Sequence, residues 1–193
     1  MFTEIRKLLA EFRRQPGVAE AERTWVPPMR LDASDIVAAS VLLSGLTKGR
    51  PEDVAFYVEA WREGVLNYRD LRKRGTPLTA EEKRALGVKG RAILTREFVE
   101  TLNESGLSDP EMAAQMIAMP ANHRASTAGD LHRAKQAGME HEKFRFGQTA
   151  AGHCTYSKRM NGKVVKIDEA GPLPALDCKH PDQCGCRWQT HMV

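Results

Sequence analysis

Apolar residues recur every three or four positions through most of residues 1–139, which is the spacing of amphipathic α-helices. The pattern is clearest over residues 2–12, 36–46 and 54–68. Residues 36–46 are apolar on nearly every side, so we expect this helix at the centre of the core. The pattern therefore predicts a helical domain over residues 1–139.

Residues that favour helix ends set the limits of the central segments. Asp32 or Ser34 is suited to cap the helix over residues 36–46. Pro51 suits the first turn of the next helix, which we expect to continue as far as Gly75. Two long helices in succession are therefore predicted between residues 32 and 75.

Four further helices are predicted before residue 139. The capping box Thr79-Ala80-Glu81-Glu82 opens a short one. Others are expected over residues 91–104, over residues 108–119 with an end before Pro120, and over residues 125–136. In the helix over residues 91–104, the side chains expected to face inward are Ile93, Leu94, Phe98 and Leu102.

The pattern changes after residue 139. Residues 143–146 alternate between charged and aromatic side chains, and residues 163–167 have the composition of a second strand. Asn161-Gly162, just before the second strand, is a turn signal. The predicted fold is therefore mainly α: a helical bundle with a small C-terminal β-hairpin, in which residues 140–193 form a cysteine-rich module.

Length and composition fit this fold and narrow the class of protein. The chain has 193 residues, 28% of them charged and 41% apolar, which argues against a disordered chain and allows a core without cross-links. The longest apolar stretch, residues 36–46, is about half the roughly 20 residues that a bilayer requires. No signal-peptide core is present at the N-terminus, so we expect a reducing cytoplasm around the thiols.

Positive charge is concentrated in one part of the chain. Residues 62–96 contain ten Lys or Arg against four acids, although the formal net charge of the whole chain is only +4. Such a stretch can follow a phosphate backbone or an acidic protein surface, and it is also typical of a solvated face of two helices. The candidate contacts are Arg69, Arg72, Lys73, Arg74, Lys83, Arg84, Lys89 and Arg91.

All four cysteines lie in the last forty residues. Zinc takes four tetrahedral ligands, usually thiolate or imidazole, and a close pair such as Cys184-Gly185-Cys186 can supply two of them. Two disulfides and a cluster of free thiols are the alternatives that the residues leave open. For a zinc site, the candidate ligands are Cys154, Cys178, His180, Cys184 and Cys186.

No catalytic signature accompanies the cysteines. The sequence lacks a Ser-His-Asp arrangement, a phosphate-binding loop and a dinucleotide fingerprint. A catalytic zinc would need an open coordination position and a nearby general base, and nothing in the sequence fixes one beside the thiols. We therefore expect no enzymatic activity and no small-molecule substrate.

Several short motifs occur in a fixed order between residues 116 and 188. They are a helix with glycine-rich ends (residues 129–138), Phe144-Arg145-Phe146-Gly147, Cys154 followed by Asn161-Gly162-Lys163-Val164, and the closing stretch of residues 180–188, which holds the "HP…CGC" motif. In this order of parts the chain resembles the head-morphogenesis domain of Mu-type (MuF-like) minor head proteins of tailed phages. Ser157 stands where that family has the second cysteine of a CxxC pair, and Cys178 can replace the missing thiolate.

The resemblance implies a role in a virus particle. The protein would be a minor structural component of a phage or phage-like head, located in the virion or the bacterial cytoplasm, with portal or capsid proteins as partners and no membrane. Its basic helices would lie near packaged DNA and contact it without sequence preference. The alternative function is a zinc-containing regulator that binds nucleic acid through the module and the basic helices together.

Overall fold

A computed structural model describes residues 32–145, 152–175 and 178–191. The helix predicted over residues 2–12 lies outside the described residues. The chain divides into two compact units, one formed by Val37–Asn122 and one that includes His123–Val193. The boundary between the units therefore lies inside a helix, and a domain division at residue 139 remains a prediction.

The described residues form eight α-helices and three short strands, so the predicted mainly-α fold with small C-terminal strands is confirmed. Two 3-10 turns, Ile167–Glu169 and Pro181–Gln183, lie between the last two strands. The helices are α1 (Ala33–Ser44), α2 (Pro51–Arg62), α3 (Tyr68–Leu71), α4 (Ala80–Ala85), α5 (Arg96–Thr101), α6 (Glu104–Ser108), α7 (Pro110–Gln136) and α8 (Thr155–Met160). The strands are β1 (His141–Arg145), β2 (Val164–Lys166) and β3 (Arg187–His191).

Helix α1 begins where its cap predicts. The Asp32 carboxylate accepts a hydrogen bond from the Asp35 backbone N–H at 2.9 Å, which satisfies one of the free amides of the first turn. Val37 and Val41 are fully buried. The expectation that this helix lies in the core is therefore confirmed.

The helix that begins at Pro51 is shorter than predicted. α2 ends at Arg62, and Gly64 then adopts a left-handed conformation with φ of +74°. The Asn67 side chain accepts hydrogen bonds from two backbone amides of the next turn and starts α3 as a separate helix. The predicted continuation to Gly75 was wrong because a glycine able to end the helix occurs eleven positions earlier.

Helix α5 begins later than predicted. Residues before Arg96 are extended instead of helical, with the Leu78 N–H donating to the Leu94 carbonyl at 3.0 Å. In an extended segment neighbouring side chains point to opposite sides. Leu94 is therefore buried while Ile93 is 55% exposed, so the inward position predicted for Ile93 was wrong.

A hydrogen-bonded triad lies in the core of the Val37–Asn122 unit. The Thr101 hydroxyl donates to the Phe98 carbonyl at 2.7 Å. Its single hydrogen is thereby used, so the Tyr57 hydroxyl must donate to Thr101 Oγ1, at 2.6 Å.

Replacing Tyr57 with phenylalanine is expected to lower the free energy of unfolding by about 1–3 kcal/mol, because it removes a donor from a buried acceptor. Urea denaturation measures this change. Tyr68→Phe is the matched control, since its hydroxyl contacts only Arg69 at the surface, and should alter stability by less than about 0.5 kcal/mol. Equal stabilities of the two variants would show that the buried hydrogen bond contributes nothing.

Helix α7 is continuous through Pro120, where two separate helices were predicted. Proline removes one backbone hydrogen bond and usually ends or kinks a helix. Here Ile117, Ala118 and Ala121 around it are almost completely buried, and their packing favours continuation of the helix. The predicted break was wrong because tertiary packing outweighs the local preference of proline.

The strands form an antiparallel sheet of order β2-β1-β3. β1 pairs with β2, as the predicted hairpin requires, with Glu142 opposite Val165. β3 is a third strand that the sequence did not predict, and it places Trp188 opposite Phe144. The central position of β1 therefore brings the segments before and after the cysteines together.

Candidate metal centre

The C-terminal cysteines lie beside a small aromatic core. Phe144 is completely buried and makes edge-to-face contacts with Tyr156 and Trp188, with ring centroids 5.6 and 5.3 Å away. Buried Cys186 belongs to the same cluster, and Cys154 packs against it together with Cys184. The core thus fixes the three chain segments that carry the thiols.

Cys154 is the residue before the first turn of α8 and caps that helix. Its sulfur accepts a hydrogen bond from the Ser157 backbone N–H at 3.5 Å. The Ser157 hydroxyl donates to the Cys154 carbonyl at 2.9 Å. Ser157 therefore holds Cys154 in place from the position at which a second cysteine would complete a CxxC pair.

The other three cysteines lie in the turns that lead to β3. Cys178 follows Ala175, whose carbonyl accepts its N–H at 3.1 Å. Cys184 follows the turn Pro181–Gln183, and Cys186 directly precedes β3. Cys178 shares side-chain hydrogen bonds with Cys184 and Cys154, and Cys184 shares another with Cys186, so the four sulfurs form one cluster.

A cavity of about 10 Å³ lies at this cluster. Its volume is about that of one water-sized sphere, far below the several hundred Å³ of pockets for organic ligands. The predicted ligand His180 also lines it, although its side chain is exposed. The lining consists of the four cysteines together with Gly152, His153, Ser157 and His180.

The side chains are not arranged around a metal ion as they stand. In the described parts of the chain, no group of three or more His, Cys, Asp or Glu side chains has the geometry to hold one. All four cysteines are free thiols, and none forms a disulfide. The sulfurs share protons with one another, so a metal would have to replace these protons and draw the sulfurs inward.

The thiols of the cluster differ in acidity. Hydrogen bonding from Cys184 lowers the pKa of Cys178 to about 7. The pKa of Cys184 is raised in turn, because its proton is shared with Cys178 and Cys186. The cluster thus holds a thiolate near neutral pH, and the thiolate is the form of cysteine that binds metals.

Two residues of α7 face this cluster, and the sequence analysis did not identify either. Arg124 is only 5% exposed, and its Nε–H donates to the Pro174 carbonyl at 2.8 Å. Burial lowers the pKa of Arg124 to about 10, while Cys178 and Cys184 act in the opposite direction. Burial also lowers the pKa of His123, whose ring hydrogen-bonds to the Cys186 and Cys184 backbone.

The basic residues predicted to contact nucleic acid lie in the other unit, and some already have acidic partners. Arg72 pairs with Glu111, and Arg74 pairs with Glu63 at 2.8 Å and with Glu59 at 3.3 Å. These ion pairs neutralise part of the charge that a phosphate backbone would contact.

The remaining basic positions make weaker or no acidic contacts. Lys73 lies 4.0 Å from Asp70, and Arg69 lies over the Tyr68 ring. Lys83 and Arg84 donate to backbone carbonyls, whereas Lys89 and Arg91 are exposed. Nucleic-acid contact by these residues remains a prediction.

Comparisons with protein-family models, with curated proteins and with solved structures find no match to this chain. The likeness to MuF-like head proteins therefore depends on the motifs quoted above. None of the helices in residues 32–145, 152–175 and 178–191 combines the length and apolar character needed to cross a bilayer.

Proposed function

We propose that the protein is a minor structural component of a phage or phage-like head, and that zinc holds its C-terminal module together. The observation that supports this most is the meeting of the motif residues at one place. Cys154 caps α8, Cys184 and Cys186 lead into β3, and their sulfurs belong to one cluster. A module that uses these residues for structure needs such a meeting point.

The size of the site favours a structural role over a catalytic one. The cavity of about 10 Å³ admits one ion and no organic substrate. Structural zinc sites are closed by four protein ligands, whereas catalytic sites keep one position open for water or substrate. Four thiols around one small cavity suit the closed type.

The proposed partners are portal or capsid proteins, together with packaged DNA. Lys89 and Arg91 are exposed basic side chains that can approach a phosphate backbone without reading its sequence. Such contacts would weaken as the salt concentration rises, because they release condensed counterions. The proposed location is the virion, with the bacterial cytoplasm as the site of assembly.

Mass spectrometry of purified particles tests this function. Particles from cells that encode the chain would be isolated on a density gradient and washed in high salt. The chain should stay with DNA-filled particles at a fixed ratio to the capsid protein, and a strain lacking the gene is the control. Its absence from particles, with tight and strongly salt-dependent DNA binding, would favour the zinc-containing regulator instead.

A further inference from the structure

Arg124 carries a buried charge without the usual partner. In the described part of the chain, its one hydrogen bond goes to the neutral Pro174 carbonyl, and no carboxylate lies at ion-pair distance. A buried charge without compensation is strongly destabilising. The groups that interact with it electrostatically are the thiols of Cys178 and Cys184, so the site requires negative charge on sulfur.

Backbone amides point at three of the four sulfurs. The Ser157 N–H donates to Cys154, the His180 N–H donates to Cys178, and the Cys186 N–H donates to Cys184. Hydrogen bonds to an ionised group stabilise it more than they stabilise its neutral form. The turns around the cluster are therefore built to receive thiolates, and His180 contributes its backbone amide while its ring stays exposed.

We propose that Cys154, Cys178, Cys184 and Cys186 bind one soft divalent cation as four thiolates, and that Arg124 is the counter-charge of this centre. The proposal rests on the zinc-held module and specifies its ligands. On binding, each S–H loses its proton to solvent and each sulfur forms a bond to the cation. His180 is excluded as a ligand.

Charge and distance are consistent with this arrangement. Four thiolates exceed the charge of one Zn²⁺ by two, and the guanidinium of Arg124 offsets one of these charges inside a poorly solvated site. Zinc–sulfur bonds of about 2.3 Å place tetrahedral sulfurs about 3.8 Å apart, a separation at which two thiols can also share a proton. Replacing shared protons with a cation therefore needs only small movements of the side chains.

The test compares Arg124→Gln with Arg124→Lys in the full chain, using Zn²⁺ and Co²⁺ as probes. Competition with a chromophoric chelator should show zinc affinity about 10–100-fold weaker for Arg124→Gln, the usual loss when a group beside metal ligands is removed. Without the cation, thiolates form less readily, so the pH of half-maximal zinc uptake should rise. Arg124→Lys should recover most of the affinity, and Arg133→Gln, at an exposed position of the same helix, should match the parent chain.

The ligand set is tested separately by the spectrum of the Co²⁺-loaded parent chain, which needs no variant. Sulfur-to-metal charge-transfer bands of a four-thiolate site are expected, and His180→Gln should leave them unchanged. A spectrum with a nitrogen ligand would overturn the ligand assignment. Zinc uptake with equal affinity and pH profile in Arg124→Gln, or no recovery in Arg124→Lys, would overturn the counter-charge alone, and no uptake by the parent chain would overturn the zinc-held module as well.

Discussion

Replacement of Cys184 by serine is expected to weaken zinc binding more than about 100-fold, since loss of a ligand exceeds the 10–100-fold effect of changes beside the ligands. Cys184 is the sulfur linked to both Cys178 and Cys186, so its loss disconnects the cluster. Where zinc stabilises the folded chain by mass action, a 100-fold loss of affinity removes about 2.7 kcal/mol of that stabilisation. Elemental analysis with thiol counting, and thermal melting with and without a chelator, measure both effects.

The position of the destabilisation can be measured as well. Amide hydrogen exchange should increase in β1 and β3, because Cys186 directly precedes β3 and belongs to the core around Phe144. Gln183→Ala changes an exposed neighbour of Cys184 and should retain one zinc per chain with unchanged exchange. A Cys184→Ser chain that kept full zinc occupancy and parental exchange rates would contradict the zinc-held module.

Replacement of Phe144 by alanine is expected to lower the free energy of unfolding by about 3–5 kcal/mol. The ring is fully buried in the centre of the sheet and contacts two further aromatic rings, each pair adding about 0.5–1.5 kcal/mol beyond burial. Because Cys154, Cys184 and Cys186 pack in the same cluster, metal affinity should fall along with stability. Urea denaturation and chelator competition on the same preparation test both consequences.

The matched control for this change is Val164→Ala in the neighbouring strand β2. Val164 is 40% exposed, so its truncation should change stability by less than about 1 kcal/mol. A Phe144→Ala chain as stable as Val164→Ala would show that the aromatic core does not support the module. Loss of stability with unchanged metal affinity would show that the thiol cluster is held independently of the rings.

Local signals were sufficient to predict where several helices begin. Asp32, Pro51 and the capping box at Thr79 act within one helical turn, so the neighbouring residues fix their effect. The failures concern long-range packing. Gly64 ends a helix and Pro120 does not, and the difference between them depends on what surrounds each turn in the folded chain.

The candidate site shows the same limit. Cysteine spacing identified the residues that line the cavity, because metal ligands must come from a few residue types. It could not identify Arg124 or His123, since neither forms a motif and both reach the thiols only through the packing of α7. The choice between the ring and the backbone amide of His180 depends equally on turn geometry.

The strand order also has a consequence for the rate and timing of folding. β1 pairs through its whole length with β3, and the outermost partners, His141 and His191, are separated by about a quarter of the chain. Pairings of such high contact order form slowly, because a long loop must close before any contact compensates for its entropy. During synthesis the emerging thiols therefore stay accessible to oxidants and to competing metals until residues 187–191 have left the ribosome.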